Sequence, residues 1–241
     1  MSVFDSPEFN ARLFFPRADQ SPTPNGARDV VVEGLHVRIH AAVPAGAPLL
    51  LLFHGNGEVV ADYDDSAEQF ANAGVQLAVM DYPGYGASAG TPTLRAIIEA
   101  APRIVDALRP AFVMGRSLGS ACMIEVYGRS PAGVAGYILE SGFVDLDAFV
   151  RRRGYEPWPL TADERAVFDP LRKLARGTAP LLVLHGERDA LINASNAHRA
   201  LAAAGSSSKQ LVLVPDRGHN DVSLSPIYWR ALADHVARAA R

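Results

Sequence analysis

The sequence is poor in cysteine, and it has neither long apolar runs nor an excess of positive charge. Its single cysteine, Cys122, rules out an intrachain disulfide and a cysteine-based metal cluster. No apolar stretch reaches the length that a membrane-spanning helix requires, so we expect no stable membrane insertion. The net charge of −3 argues against a basic surface for nucleic acid or anionic lipid.

The chain has 241 residues, of which 49% are hydrophobic, and this fits one α/β domain with a large core better than two domains. The first residues show neither a basic start nor an apolar run of signal length. We therefore expect a cytoplasmic protein. The oligomeric state stays open at this point.

Short apolar runs alternate with segments of helical periodicity along most of the chain, which predicts a mostly parallel sheet of about eight strands with helices on both faces. The predicted parallel strands are 49–53, 76–80, 111–114, 134–139, 180–184 and 209–214. Before them, residues 29–33 and 35–41 alternate as an antiparallel hairpin with one solvent-facing side. On that side lie His36, Arg38 and His40, and we expect the two histidines to be solvated rather than to bind a metal.

The pentapeptide Gly115-Arg116-Ser117-Leu118-Gly119 is a G-x-S-x-G motif between a predicted strand and a predicted helix. Strand, sharp turn and helix form the context in which this motif presents a serine as a nucleophile. The helix that follows would direct unpaired N–H groups and its positive end toward the serine. The sequence therefore singles out Ser117 as a candidate nucleophile.

A serine hydroxyl needs a base, and the base needs an acid that orients it. His219 follows the last predicted strand and is the favoured base, while Asp189 follows the strand before it and is the favoured acid. Asp145 is the second choice of acid. Because the carboxyl ends of parallel strands gather at one edge of a sheet, Ser117, Asp189 and His219 are expected to meet there.

A tetrahedral intermediate also needs backbone donors for its oxyanion. The residue after the nucleophile supplies one, which assigns the N–H of Leu118. The loop after strand 49–53 supplies the other, and its sequence His54-Gly55-Asn56-Gly57 assigns the N–H of Asn56.

Taken together, HGNGE (54–58), DYPGYGAS (81–88), GRSLG (115–119), HGERD (185–189) and GHND (218–221) resemble the serine α/β-hydrolase superfamily, in its BEM46-like and ABHD17-like branch. The resemblance covers nearly the whole chain beyond residue 29. It implies the α/β-hydrolase fold and esterase or thioesterase chemistry without a cofactor, on a small-molecule acyl substrate. Residues 1–28 are then an N-terminal extension packed on the domain 29–241, which carries a short cap-like insert at 143–178.

The insert is rich in aromatic residues, among them Phe143 and Trp158, which either wall an acyl pocket or pack the insert on the domain. Tyr82 and Tyr85 either shape the same pocket or support their own loop. Two other functions remain open: a peptidase or amidase with the same triad, and a non-catalytic binding scaffold on this fold.

Overall fold

The computed structural model of the chain describes residues 2–41, 44–152, 154 and 160–239. Within them the strands are β1 (Arg28–Val32), β2 (Leu35–Ile39), β3 (Leu49–Phe53), β4 (Gln76–Met80), β5 (Phe112–Arg116), β6 (Gly136–Glu140), β7 (Leu181–Gly186) and β8 (Lys209–Val214). The helices are α1 (Pro7–Leu13), α2 (Ala67–Asn72), α3 (Leu94–Leu108), α4 (Ser120–Arg129), α5 (Leu146–Arg151), α6 (Ala162–Val167), α7 (Pro170–Arg176), α8 (Ser195–Ala203) and α9 (Pro226–Ala239).

The eight strands form one sheet in the order β1-β2-β4-β3-β5-β6-β7-β8. Strands β3 to β8 run parallel to one another, and β1 and β2 add an antiparallel pair at one edge. The predicted fold, a mostly parallel sheet of eight strands covered by helices, is confirmed. Because six strands are parallel, their carboxyl ends lie along a single edge.

Each central strand is buried on both faces, and alternate side chains enter different cores. Leu51 and Phe53 of β3 pack in the core that contains α1, α3, α4, α7 and α8. Leu50 and Leu52 pack in the opposite core, beneath α2 and α9. The continuous apolar run of β3 is thus explained by two layers of helices.

The hairpin β1–β2 differs from its prediction, since the face expected to be solvated is buried. The side chain of Arg38 is only 2% exposed and those of His36 and His40 are 12% and 7% exposed. The reason is a set of carboxylates that the alternation pattern does not reveal, namely Asp29, Asp64 and Asp81. Burial of these polar groups is tolerated because they pair with one another.

The N-terminal residues pack against the domain through Phe4, Phe9 and Leu13, whose side chains lie fully buried in the larger core. The helix α1 begins with Ser6 as its cap and Pro7 in its first turn, a favourable start. Past α1, the chain reaches the carboxyl edge of the sheet, where Phe15 contacts the loop after β3. None of the described helices combines the length and apolarity needed to cross a membrane.

Candidate active site

Ser117 lies in a tight turn between β5 and α4, as the sequence predicts. Its φ of +49° is left-handed, a conformation that a non-glycine residue adopts only when the surrounding structure imposes it. Glycine is required at position 119 because a Cβ there would stand 2.0 Å from the carbonyl oxygen of Phe53. The turn therefore packs directly on the end of β3 and raises the serine at the edge of the sheet.

His219 lies between Ser117 and Asp189 and contacts both. Its Nε2 is 2.9 Å from the Ser117 Oγ, and its Nδ1 is 2.7 Å from the Asp189 Oδ2. With Nδ1–H donating to the carboxylate, Nε2 is left to accept the serine proton. The three candidates, which are distant in sequence, are thus brought into one hydrogen-bonded chain.

Asp189 is buried but well supplied with donors. Its Oδ1 accepts the N–H groups of Leu191 at 2.9 Å and Ile192 at 2.8 Å, and the Nε2 of His185 lies 3.2 Å from Oδ2. Burial alone would raise its pKa, but the hydrogen bonds from His185, His219 and the backbone hold the pKa of Asp189 well below its usual range. The carboxylate is therefore ionised at neutral pH.

Asn56 lies in the same pocket as Ser117 and His219, and its side chain makes its hydrogen bonds to residues outside the triad. Its Nδ2 donates to the carbonyl of Leu13 at 2.6 Å, and its Oδ1 accepts from the Phe15 N–H at 3.0 Å and the Tyr85 hydroxyl at 2.7 Å. Among the described residues, the backbone N–H of Asn56 has no acceptor. Asn56 and Leu118 both line the same pocket as Ser117.

That pocket has a volume of about 490 Å³ and opens at the carboxyl edge of the sheet. One wall is aromatic: Phe143 stacks on Phe149 with centroids 4.0 Å apart and planes 5° apart. Phe15, from the N-terminal segment, forms another part of the wall and is 57% exposed. Its contribution was not anticipated from the sequence, because nothing in residues 1–28 indicates which loop they meet.

For Tyr82 and Tyr85, which the sequence left open between shaping the pocket and supporting their own loop, the candidate role in substrate binding is corrected. Tyr82 and Tyr85 are both fully buried and neither lines the pocket, so they support their loops instead. The Tyr82 hydroxyl donates to the carbonyl of His54 at 2.8 Å, and burial raises the pKa of Tyr85 to about 12. Phe143 does line the pocket, whereas Trp158 lies outside the described residues.

Asp145, the second choice of acid, has another role. It accepts the N–H of Ala148 at 2.9 Å at the start of α5, and it pairs with Arg199 at 2.6 Å. The cap and the ion pair lower its pKa, and no bond joins it to His219 among the described residues. The acid that contacts the base is Asp189.

Arg116 and Glu58 form a charged layer next to the serine, and the sequence did not indicate Glu58 as the partner of Arg116. The Arg116 guanidinium pairs with Glu58 and, at 3.1 Å, with Glu140. Both residues stand in motifs that the sequence singles out, since Arg116 precedes the serine and Glu58 ends the HGNGE motif. Their contact with each other depends on the fold. Both residues line the pocket.

The sequence of the chain is similar to those of several known proteins. Residues 46–164 match the family model described as serine aminopeptidase, S33. An uncharacterized protein of Mycobacterium tuberculosis is 31% identical over 94% of this chain and 85% of its own length. The protein bem46 of Schizosaccharomyces pombe is 25% identical over 87% of this chain and 74% of its own length.

Two further similarities concern the branch and the fold. The human α/β-hydrolase domain-containing protein 17B is 30% identical over 66% of this chain, which spans 55% of that protein. The esterase Pf2001 of Pyrococcus furiosus superposes with a TM-score of 0.72 at 16% identity, over 93% of this chain and 98% of its own. The chain therefore belongs to the α/β-hydrolase superfamily of hydrolases, in the branch that holds bem46 and the domain-containing protein 17B.

Proposed function

We propose that this hydrolase cleaves carboxylic esters or thioesters of small acyl substrates by a serine mechanism. The observation that carries the proposal is the unbroken hydrogen-bonded chain from Asp189 through His219 to Ser117, at the base of an open pocket. A strained nucleophile, an imidazole within hydrogen-bond reach of it and an ionised acid are the parts that such a mechanism needs.

In the acylation step, the Ser117 Oγ attacks the carbonyl carbon and its proton passes to the Nε2 of His219. Asp189 stabilises the imidazolium that forms. The N–H groups of Leu118 and Asn56 donate to the oxyanion, and His219 then returns the proton to the departing alcohol or thiol. Water attacks the acyl-enzyme by the same route, which releases the acid and restores Ser117.

The acyl group would lie against the stacked rings of Phe143 and Phe149. In this proposal the segment 143–178 is a short cap-like insert on the domain 29–241, and residues 1–28 are an extension that completes the pocket wall through Phe15. No cofactor is required, because every proton and electron pair in the cycle comes from the substrate, water and these side chains.

A second candidate is a peptidase or amidase with the same triad. The observation in its favour is the description of the matched family model, which names an aminopeptidase. An amide needs its leaving nitrogen protonated before the bond breaks, so activity on amides tests the acid role of His219 more severely than activity on esters does.

The deciding experiment compares wild type with Ser117→Ala on nitrophenyl esters of increasing acyl length, on thioesters and on aminoacyl nitroanilides. We expect turnover of esters or thioesters that Ser117→Ala abolishes, and no more than slow turnover of the anilides. Preference for anilides would favour the second candidate. A wild type that neither turns over a substrate nor reacts with a fluorophosphonate at Ser117 would contradict the proposal and favour a non-catalytic binding scaffold.

A further inference from the structure

Arg116 is a charged residue at the site for which the proposed mechanism has no chemical role. It directly precedes Ser117, and its side chain is only 12% exposed. We propose that Arg116 is a positioning residue that fixes the oxyanion loop (residues 54–58) and the histidine loop (residues 215–221) around Ser117. This inference rests on the proposed function, since it assigns Arg116 to the geometry of that reaction.

The first contact of Arg116 is with the oxyanion loop. Its Nη1 donates to one carboxylate oxygen of Glu58, while the other oxygen accepts the N–H of Gly55 at 2.6 Å and the hydroxyl of Tyr63 at 2.6 Å. Glu58 thereby folds back across its own loop and fixes the residues on both sides of Asn56. A Cβ on Gly55 would stand 2.6 Å from Arg116, so the loop packs directly on the guanidinium.

The second contact is with the histidine loop. The Nη2 of Arg116 lies 3.2 Å from the Oδ1 of Asn220 and 3.4 Å from the carbonyl oxygen of His219. Each distance is long for a strong hydrogen bond. The two contacts together nevertheless hold the main chain of His219 and the side chain of Asn220 facing the guanidinium. The guanidinium is thus linked to the residue that must accept the serine proton.

The third contact anchors the guanidinium itself. Its Nε donates to Glu140 at the end of β6 at 3.1 Å, and the second oxygen of Glu140 accepts the Tyr228 hydroxyl at 2.7 Å. Because the guanidinium is planar and its N–H directions are fixed, holding Nε determines where Nη1 and Nη2 point. One rigid group attached next to the nucleophile therefore sets the positions of the oxyanion donor and the base.

Lysine keeps the charge of arginine but offers a single flexible ammonium, which cannot serve these three directions at once. A shift of about 1 Å in a catalytic group costs up to about 100-fold in rate. We therefore expect Arg116→Lys to lower kcat by about 10- to 100-fold while KM stays within about twofold, since the acyl wall of the pocket is untouched.

The test measures kcat and KM of Arg116→Lys on the best nitrophenyl ester, with urea denaturation to establish the folded fraction. The matched control is Arg38→Lys, another buried arginine between two carboxylates whose partners lie outside the pocket. Its kcat should equal that of wild type once corrected for folding. The fluorophosphonate labelling rate of Ser117 should fall with kcat in Arg116→Lys, because labelling needs the same geometry.

A wild-type kcat in folded Arg116→Lys would overturn the inference, and so would a raised KM with unchanged kcat, which would make Arg116 a substrate contact. A double variant with Glu58→Gln adds a coupling test. If Glu58 acts through Arg116, the two losses combine to less than their product; fully multiplicative losses would contradict the link. Absence of any Ser117-dependent turnover in wild type would instead overturn the proposed function, and this inference with it.

Discussion

Arg38 and Arg116 each pair with two carboxylates, but Arg38 lies at the antiparallel edge of the sheet and Arg116 lies next to the candidate nucleophile. Arg38 lies on β2, 2% exposed, and makes two hydrogen bonds to Asp29 at 2.8 and 2.9 Å and one to Asp64 at 2.8 Å. Arg116 lies between Glu58 and Glu140. Each is a guanidinium between two carboxylates, and each joins segments that are distant in sequence.

The difference lies in what the carboxylates belong to. The partners of Arg38 are on β1 and on the 3-10 turn Val60–Ser66, so this network holds the antiparallel edge of the sheet together. Of the two carboxylates that pair with Arg116, Glu140 ends β6 and Glu58 lies in the oxyanion loop, and the same guanidinium also contacts the carbonyl of His219 in the histidine loop. Similar local chemistry therefore supports stability alone in the first region and, by our proposal, catalytic geometry in the second.

The largest expected difference between the two regions is in their response to a glycine substitution, which should abolish most activity at the serine turn and cost only stability at the β1–β2 turn. In Gly119→Ala the new Cβ meets backbone of Phe53 at 2.0 Å, so the turn must move and activity should fall by at least about 100-fold. Gly34 joins β1 to β2 with a φ of +81° and open space around it, so Gly34→Ala should cost only about 1–2 kcal/mol. Esterase assays and urea denaturation of both variants measure this; an active Gly119→Ala would contradict the close packing of the turn.

Removing the guanidinium of Arg38 should destabilise the fold without affecting chemistry. Arg38→Gln leaves Asp29 and Asp64 without their cation; breaking a buried pair costs about 3–5 kcal/mol, and because these carboxylates are 29% and 20% exposed we expect the lower end of that range. Equilibrium urea unfolding reports the loss, and kcat of the folded fraction should match wild type. Adding Asp64→Asn should recover part of the stability. A reduced kcat in folded Arg38→Gln would show that the two regions are coupled.

The strands and the candidate triad could be anticipated because their signals are local or follow from chain order. Apolar runs of strand length predicted β3 to β8, and the placement of Ser117, Asp189 and His219 after strand ends predicted that they meet. Parallel strands put those ends on one edge, whatever the details of packing. The sequence therefore carries the outline of the site.

The partners of the two arginines could not be anticipated, because their contacts join positions far apart in the chain. Arg116 and Glu58 are 58 residues apart, and Arg38 and Asp64 are 26 apart. Alternation along β2 predicted which side chains share a face but not that carboxylates cover that face. Likewise the burial of Tyr82 and Tyr85 depends on how their loop folds against Asn56 and His54.

Low pH should reduce the free energy of unfolding through carboxylates of both regions. Substituting one carboxylate at a time should show how much each region contributes. The pKa values of Asp29 and Asp189 lie below their usual range, the first mainly through hydrogen bonds from Arg38 and the second through those from His185 and His219, against the effect of burial. The unfolded chain then binds more protons than the folded one. The stability that these two carboxylates contribute is therefore fully present above about pH 4, the pKa of an aspartate in the unfolded chain. This contribution is lost as the pH falls toward their pKa values in the folded protein.

Thermal unfolding between about pH 2 and 6 measures this loss. Asp29→Asn should flatten part of the acid decline at unchanged kcat, whereas Asp189→Asn should flatten part of it and also remove most of the activity. The contribution of Asp29 should shrink in high salt, because this carboxylate is partly exposed. An acid decline as steep in Asp29→Asn as in wild type would contradict the assigned pKa shift.

The smallest loss of kcat is expected from a change at the anchor of the Arg116 network. Tyr228→Phe removes the hydroxyl that donates to Glu140 at 2.7 Å and leaves that oxygen of a buried carboxylate without a donor. Burial already raises the pKa of Glu140. The loss of a hydrogen bond to a charged group costs about 1.5–3 kcal/mol of stability. If Arg116 positions the catalytic loops, kcat should also fall, by less than in Arg116→Lys.

Tyr137→Phe is the matched control for this change, because its hydroxyl is equally buried yet has no hydrogen-bond partner among the described residues. Removing an unsatisfied buried hydroxyl should leave stability unchanged or raise it slightly, and kcat should not move. The pair is compared by urea unfolding and ester turnover. A lower kcat in Tyr228→Phe alone would connect the end of β6 to the chemistry through Arg116, since hydrogen bonds to Glu140 join the Tyr228 hydroxyl to the guanidinium. Equal kcat in the two variants would contradict a role of the Tyr228 hydroxyl in catalysis. It would mean that Glu140 holds the Arg116 guanidinium in place without the hydrogen bond from that hydroxyl.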